Sequence, residues 1–523
     1  MGFSRQGMGK AALLLVIGTA LSRVLGIVRE TAIAYQFGAT AQTDAYLVAL
    51  IVPMAISSIV VGALATAFIP VFTEHRLRDG EQEAWTMGNA VINLAALILL
   101  IAAVLYFLAA PFFIALFAPG LAPETEKLAV DLSRLLSSAI IFNGLIGIAN
   151  ALLRSYRHFT YPAFAGLLHN LGMIGGTLFL GGMLGISGLA IGVLVGLAAN
   201  LLILFVPLSH QKKLYQPTLR GLRHPGTKKI GLLLLPIIIG SAAGQINLLV
   251  DRSLASGLTE GSISALNFAD RLVGLPLGIF VASATTAAYP FLAEQAALKN
   301  MHELRRIFSE GLRMLWFIVF PLVAGLLILD EPIVRLLFER GAFDAAASEL
   351  TSVALFYYSL GIIAHAASAM LSSVYFALQD TATPIKLGLF SVGLNIVLNF
   401  ILVGYMAHAG LALATSIAGT VTCILLAYSL RRRLGHLDGQ RLLRSVAKIA
   451  AASLLMGIAV SVAYGYTAAF FDTTIFVHQL LQVGGLIVLG GAVYFVSAAL
   501  LRTEELTWLS RRVREKLLPS KTG

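Results

Sequence analysis

Four arginines lie inside long apolar stretches of this 523-residue sequence: Arg23, Arg29, Arg252 and Arg271. At bilayer depth an arginine costs roughly 2.5 kcal/mol or more, so it normally faces a cavity or a charged partner. Its guanidinium is a planar fork of N–H donors that suits a phosphate group and stays charged in apolar surroundings. Several arginines around one intramembrane cavity therefore predict an anionic substrate that carries a phosphate or a diphosphate.

Acidic neighbours offer a simpler interpretation for three of these arginines, because each acid–arginine pair could neutralise itself. The pairs are Arg29 with Glu30, Asp251 with Arg252, and Asp270 with Arg271. The sequence leaves both interpretations open for these pairs. Arg23 has no acid within one helical turn, and it is therefore the best candidate for a contact with the ligand.

Polar side chains in the second half of the chain could hold a hard monovalent cation such as Na⁺. Asn395 and Asn399 are four residues apart and share one helical face. Thr415 lies in the next apolar stretch and Asp251 in an earlier one. Oxygen ligands of this kind suit hard cations. Ordinary hydrogen bonding between membrane helices is the alternative. Apart from Na⁺ as a coupling ion, no cofactor is predicted.

The elements that carry these residues are apolar helices. Of all residues 58% are hydrophobic and only 12% are charged, and the mean hydropathy is +0.86. Soluble domains have about a quarter of their residues charged. The single cysteine, Cys423, excludes disulfides and cysteine-rich metal sites, and no nucleotide-binding or hydrolase motif stands in a suitable context. We predict an all-α polytopic membrane protein that is a transporter and not an enzyme.

Apolar windows of about 20 residues, the length that crosses a bilayer, predict about fourteen transmembrane helices. Their approximate limits are 11–35, 45–70, 86–116, 130–153, 160–182, 185–208, 229–253, 262–290, 308–329, 350–376, 383–405, 408–430, 444–468 and 477–501.

Basic residues alternate between the loops in a way that predicts the orientation. Of the 37 Lys and Arg residues, 27 fall in the N-terminus, the even-numbered loops and the tail, whereas four fall in the odd-numbered loops. The positive-inside rule then places both termini in the cytoplasm. The net charge of +11 marks the cytoplasmic face, and no nucleic-acid partner is predicted. The basic tail is expected to lie on the anionic inner leaflet.

Prolines and glycines recur at a nearly constant offset of 220 to 222 residues, as Pro162 and Pro384 or Gly188 and Gly410 illustrate. Six spans in each copy give both copies the same orientation, as in transporters that bind substrate between two lobes and work by alternating access. The predicted organisation is an N-lobe at 1–208, a basic cytoplasmic loop at 209–228, a C-lobe at 229–430, two extra C-terminal helices at 431–501 and a basic tail at 502–523.

A set of short motifs resembles one known family. The motifs include Ser22-Arg23-Val-Leu-Gly26, Arg29-Glu30, Phe37-Gly38, Thr43-Asp44-Ala45, Asp270-Arg271-Leu272 and Thr383-Pro384. Together they are similar to the MurJ (MviN) proteins, the lipid II flippases of the MOP exporter superfamily, over essentially the whole chain. The resemblance implies export of the undecaprenyl-diphosphate-linked peptidoglycan precursor to the outer leaflet of the bacterial inner membrane. The implied partners are this precursor, membrane lipids and cell-wall synthesis proteins.

The resemblance also implies roles for individual residues. The substrate-binding set is Ser22, Arg23, Arg29, Asp44, Arg252, Asp270 and Arg271, and the sodium ligands are Asp251, Asn395, Asn399 and Thr415. One departure concerns the second span, which has no basic residue at 51–57, where family members often carry one. Arg252 could compensate. Two alternatives therefore stay open: a MATE-like cation-coupled exporter of drugs or of another lipid-linked oligosaccharide, and a non-transporting scaffold for wall synthesis.

Overall fold

The structure is a computed structural model. It describes the backbone of residues 5–156, 158, 160–209, 214–467, 470–471 and 475–517. Side chains are described over the same ranges except at 5–17, 19–20, 61, 63, 65, 235–243 and 511–517. Within these residues the chain is helical with no strand, which confirms the all-α prediction.

The chain divides into two compact units, one of residues 1–264 with 340–344, the other of residues 265–339 with 345–523. The helices of the first unit are α1 (Arg5–Phe37), α2 (Ala41–Ala49), α3 (Ile51–Ala63), α4 (Ile69–Arg78), α5 (Glu81–Leu108), α6 (Ala110–Phe117), α7 (Pro123–Leu136), α8 (Ser138–Ser155), α9 (Thr160–Gly175), α10 (Gly181–Leu184), α11 (Ile186–Leu208) and α12 (Pro225–Ser256). This division does not test the predicted lobe limits, which stay a prediction.

Helix α13 (Ser262–Pro276) begins at the end of the first unit and continues into the second. The further helices of the second unit are α14 (Ala282–Ala297), α15 (Met301–Ile328), α16 (Asp330–Phe338), α17 (Ala345–Ser359), α18 (Ile362–Ala377), α19 (Ala382–Leu434), α20 (Gly439–Thr467), α21 (Phe476–Leu500) and α22 (Glu504–Leu517).

Ten helical stretches within the described residues are long and apolar enough to cross a membrane, and the pair α17 and α18, bent by 43°, would make eleven. One of the ten, α19, is 53 residues long and is broken at Ala407, whose φ of 48° lies in the left-handed region. It covers two of the predicted spans, 383–405 and 408–430. The multi-pass membrane fold is confirmed, whereas the number fourteen stays a prediction.

In the described part of the chain, three membrane helices contain a π-turn. The turns are Leu64–Phe68 after α3, Gly176–Leu180 after α9, and Leu277–Val281 after α13. A π-turn holds one residue more than an α-helical turn and often marks a functional position. The first and third lie in spans 2 and 8, which the sequence repeat makes equivalent.

Helices α9 and α11 pack backbone to backbone along a row of glycines. A Cβ added at Gly172 would lie 2.3 Å from the Cα of Gly196, and one added at Gly176 would lie 2.4 Å from the Cα of Gly192. Small residues allow membrane helices to approach this closely and to gain van der Waals contact where lipid offers no hydrophobic drive. This glycine seam therefore fixes α9, the helix that carries Asn170, a partner of Arg29 described below.

The described part of the basic loop is held against α5. Asn89 donates to the carbonyl of Leu214 over 3.0 Å, and the Tyr215 hydroxyl donates to Asn93 over 2.7 Å. Lys229 Nζ lies 2.8 Å from Glu74 Oε2, and this hydrogen bond lowers the pKa of the Glu74 carboxyl. Residues 210–213, with two of the loop lysines, lie outside the described residues.

Ion pairs attach the start of α22 to the middle of α15 and to the start of α20. Arg313, almost fully buried, lies 2.8 Å from Glu504 and 3.1 Å from Glu505, and Arg441 lies 2.6 Å from Glu504. Hydrogen bonds from Arg313 and then Arg441 lower the pKa of the Glu504 carboxyl. The basic side chains of the tail beyond residue 510 lie outside the described residues, so the expected contact of the tail with the inner leaflet stays a prediction.

Candidate substrate-handling residues

Arg23 lies in α1 and is half-buried. Among the described residues no side chain pairs with it by a hydrogen bond or an ion pair, in keeping with the lack of a nearby acid in the sequence. Its neighbour Ser22 faces α9, where Asn170 Nδ2 donates to the Ser22 carbonyl over 3.3 Å. The backbone beside Arg23 is thus bonded to α9, whereas no described side chain pairs with its guanidinium.

Arg29 is in a different electrostatic situation, because it is already paired. Its Nη2 donates to Glu30 Oε1 over 2.5 Å, and its Nη1 donates to Asn170 Oδ1 over 3.0 Å. Glu30 and Asn170 are both buried. The self-neutralising interpretation therefore holds for Arg29 and Glu30 as a contact, and the pair presents little net charge to a ligand.

Asn170 was not identified from the sequence, although it is the residue that ties Arg29 to Ser22. Its side chain spans the α1–α9 contact, with its oxygen on Arg29 and its nitrogen on the carbonyls of Ser22 and Gly166, each at 3.3 Å. The available signal was a lone asparagine in an apolar span. Nothing in one sequence indicates which helix such a residue faces.

Asp44 stands in the first turn of α2 and is buried to 4% exposure. Its carboxylate accepts three hydrogen bonds: from Gly261 N at 2.9 Å, Ser264 N at 2.7 Å and Ser264 Oγ at 2.7 Å. Two of these donors belong to the first turn of α13. A carboxylate at a helix N-terminus also interacts favourably with the helix dipole. Both carboxylate oxygens are therefore engaged within the protein.

A second hydrogen bond joins the same two segments, with the acceptor now in the segment that precedes α13. Glu260 Oε1 accepts a hydrogen bond of 2.9 Å from the backbone N–H of Ala41, at the start of α2. Gly261 has a φ of +86°, and a Cβ there would lie 2.2 Å from the carbonyl oxygen of Ala39, so only glycine fits. We call this reciprocal arrangement of residues 39–44 and 257–264 the outer clasp, after the side on which the predicted topology places it.

The remaining predicted ligand residues lie in α12 and α13. Arg252 and Asp251 are half-buried, and Arg252 Nη1 donates to the carbonyl of Ile263 over 2.8 Å. In the second unit, Asp270 and Arg271 are both exposed. Arg252 is thus bound to backbone within the first unit. The substrate roles of Arg252, Asp270 and Arg271 stay predictions, as does the role of Asp251 as a sodium ligand.

The predicted sodium ligands of the second unit form a chain of hydrogen bonds. Asn399 Nδ2 donates to Asn395 Oδ1 over 2.8 Å, and Asn395 Nδ2 donates to Thr415 Oγ1 over 3.2 Å. Both asparagines are buried. The structure brings these three together, as the alternative of interhelical hydrogen bonding requires. Asp251, the one carboxylate of the predicted set, belongs to the first unit. The side-chain oxygens of these three residues are neutral, a ligand type that suits a hard monovalent cation. Asn395 Oδ1 and Thr415 Oγ1 already accept hydrogen bonds within the set.

Comparison with known proteins gives one consistent result. The family model described as "Lipid II flippase MurJ" matches residues 33–482. The "Lipid II flippase MurJ" of Burkholderia cenocepacia is 30% identical over 457 residues, covering 85% of this chain and 88% of that protein. The "Probable lipid II flippase MurJ" of Thermotoga maritima is 31% identical, covering 96% and 98%.

Solved structures agree with this at the level of the fold. A structure titled "Lipid II flippase MurJ, inward closed conformation" is similar with a TM-score of 0.80 and 29% identity, covering 93% of this chain and 98% of that one. An inward-facing MATE family transporter of the MOP superfamily is similar with a TM-score of 0.69 and 15% identity, covering 82% and 99%. At that identity the second likeness shows a common fold alone.

Proposed function

The chain belongs to the lipid II flippase MurJ family, and from this premise we propose that it moves lipid II, a diphosphate-linked peptidoglycan precursor, across the membrane by alternating access. It acts as a carrier and breaks no covalent bond. We place it in the bacterial inner membrane with both termini in the cytoplasm, as the distribution of basic residues predicts. Cell-wall synthesis proteins remain proposed partners, on the basis of the family.

The observation that carries the substrate proposal is the contrast between two arginines of α1. Arg29 is neutralised by Glu30 and held by Asn170, whereas no described side chain pairs with Arg23. A half-buried guanidinium that keeps its N–H donors attracts an anion strongly, because low-dielectric surroundings screen its charge less than water does. We assign the diphosphate contact to Arg23, and we give Arg29 the task of keeping α1 in register with α9.

The outer clasp supports a role for Asp44 in the transport cycle. Alternating access requires a closure that forms and breaks on each side of the substrate. We propose that the bonds of Asp44 to the start of α13 form such a closure on the outer side and break when the carrier opens outward. Asp44 would then act on the conformational equilibrium and make no contact with lipid II.

Sodium coupling is proposed with Asp251, Asn395, Asn399 and Thr415 as ligands. Its test is transport into vesicles with and without a Na⁺ gradient, in the parent protein and in Thr415→Val. We expect the gradient to accelerate the parent and to have no effect on the variant. Equal responses of the two proteins would remove Thr415 from the site. No response in the parent would leave membrane potential as the energy source.

The function is tested by replacing the gene in a bacterium whose own flippase can be depleted. We expect Arg23→Ala to abolish growth support and to leave lipid II in the inner leaflet, at unchanged protein abundance in the membrane. Arg23→Lys keeps the charge without the fork and should retain partial activity. The control is Arg134→Ala, an arginine of α7 whose side chain is 43% exposed, which should support normal growth.

Three results would contradict the proposal. Normal growth with Arg23→Ala would remove the diphosphate contact. Drug sensitivity without accumulation of lipid II on depletion would favour an exporter. Loss of growth on neutralising the loop residues Arg220 and Arg223, with Arg23→Ala active, would favour a scaffold.

A further inference from the structure

The first unit contains an apolar cavity of about 380 Å³ that the transport proposal does not use. Its walls come from α5, α8 and α11 and from the loop after α11. Trp85 stands four residues after the start of α5, Leu152 three residues before the end of α8, and Leu208 at the end of α11. The cavity therefore begins at the ends of three membrane helices on the side of the basic loop, and its wall residues Ala96 and Leu145 lie deeper in α5 and α8.

Water is a poor occupant for this cavity because its few polar groups are already bonded. The indole N–H of Trp85 donates to the Tyr156 hydroxyl over 2.8 Å, and the Tyr215 hydroxyl donates to Asn93 over 2.7 Å. Most of the other lining residues are apolar, and Ile148 and Ala149 are buried. A buried water needs two to four polar partners, which such walls do not supply. An empty cavity would forfeit the packing contacts of its lining.

The cavity is also accessible from the surface of the helices. Phe205 and Tyr215 are lining residues with 47% and 46% of their surface exposed. Phe205 lies in the last turn of the apolar helix α11, where the neighbouring medium in a membrane is lipid. Tyr215 lies in the loop just beyond it, where tyrosines are enriched at the membrane–water interface. The material available to fill the cavity is therefore a hydrocarbon chain.

Arg76 is linked to the cavity wall through Tyr156, which bonds to the lining residue Trp85. The guanidinium carbon of Arg76 lies 4.5 Å from the ring centre of Tyr156, whose hydroxyl accepts the bond from Trp85 and donates to Glu81 over 2.7 Å. Arg76 is half-buried, and it forms no ion pair with an acid among the described residues. No described acid therefore neutralises this guanidinium, which lies two contacts from the wall residue Trp85.

We propose that this cavity is a phospholipid site, in which one acyl chain of an inner-leaflet lipid fills the space between α5, α8 and α11 while its phosphate contacts Arg76. The inner leaflet follows from the topology proposed above. The site is separate from the transported cargo, and a bound chain would hold the three helix ends and the basic loop together.

Tryptophan fluorescence tests the site, because the chain has three tryptophans and Trp85 lines the cavity. Trp316→Phe and Trp508→Phe leave Trp85 as the sole fluorophore in the full-length protein. Phosphatidylglycerol with brominated acyl chains is then added to the protein in detergent. We expect saturable quenching of Trp85 fluorescence by more than half. Ala149→Phe, which fills the cavity, should abolish the saturable part, and Arg76→Gln should raise the lipid concentration for half-quenching several-fold.

The matched control is Leu108→Phe, a substitution at a 68% exposed position of the same helix α5 away from the cavity, which should leave quenching unchanged. Thermal unfolding of each variant verifies that it folds. Linear quenching that Ala149→Phe does not change would show ordinary surrounding lipid and overturn the proposal. Stronger displacement of the brominated lipid by undecaprenyl phosphate than by unlabelled phosphatidylglycerol would assign the cavity to a prenyl chain and overturn the choice of occupant.

Discussion

Replacing Asp44 by asparagine should loosen the outer clasp without changing its shape. The carboxylate accepts three hydrogen bonds at 2.7 to 2.9 Å, two of them from the first turn of α13. Asparagine keeps one acceptor oxygen, places an N–H₂ group against donors and removes the charge. A hydrogen bond to a charged group contributes about 1.5 to 3 kcal/mol, and the favourable helix-end charge adds a fraction of that. We expect the closed clasp to lose about 2 to 4 kcal/mol.

Cysteine labelling measures this change directly. Cys423→Ser removes the only native cysteine, and Ser262→Cys places a thiol at a fully buried position of the clasp. A membrane-impermeant maleimide added outside then reacts only with the opened clasp. When closing is fast, the labelling rate follows the opening equilibrium. Asp44→Asn should therefore raise the rate by roughly 30- to 700-fold, at 1.4 kcal/mol per factor of ten.

The control is Asp131→Asn, which alters an acid whose side chain is 61% exposed and 3.7 Å from Arg134, and which should leave the labelling rate unchanged. A rise of less than threefold for Asp44→Asn would refute the assignment of Asp44 to the clasp. Equal acceleration by both variants would show a general loosening of the unit.

Three further predictions concern the packing of the helices. Gly172→Val should lower the midpoint of thermal unfolding by several degrees, because overpacking costs about 1 to 3 kcal/mol. Gly175→Val, where an added Cβ has its nearest contact at 3.9 Å, should have little effect. Equal shifts in the two variants would contradict the glycine seam. The lowered pKa of the Glu504 carboxyl means that its ion pairs stabilise the attachment of α22 above pH about 4.5 and lose that effect as the pH falls. Hydrogen exchange of α22, corrected for intrinsic rates, should therefore rise at acid pH. In Glu504→Gln it should already be raised at pH 7. Asn170→Leu removes an acceptor of Arg29 and should reduce thermal stability by about 1 to 3 kcal/mol, while Asn170→Ser restores part of it; unchanged unfolding would exclude the bridging role.

The apolar pattern of the sequence predicted the helices well, because hydropathy is a local property. The break in α19 at Ala407 falls between the limits of the two spans predicted there, 405 and 408. Arg23 was singled out by the absence of an acid nearby in the sequence, and no described side chain pairs with it in the structure either. Both features depend on residues close together in the chain.

The partners of Asp44 and Arg29 could not be predicted in the same way. Asp44 bonds to Ser264, 220 residues away, and Arg29 bonds to Asn170, 141 residues away. A single sequence shows which residues are polar but carries no record of which helices touch. The choice between a ligand contact and a structural bond therefore depends on packing. The sequence already suggested Glu30 as a partner of Arg29, and packing added Asn170.

The π-turns limit how the lengths of these helices can change. Each is an α-helix with one extra residue, and an α-helix turns by about 100° per residue. Deleting one residue within Leu64–Phe68 or Leu277–Val281 would restore regular helix but rotate every side chain beyond it by that angle. Buried Phe68 and Phe72 would then leave their packed positions. Insertions and deletions in these helices should therefore be tolerated in whole turns and not in single residues.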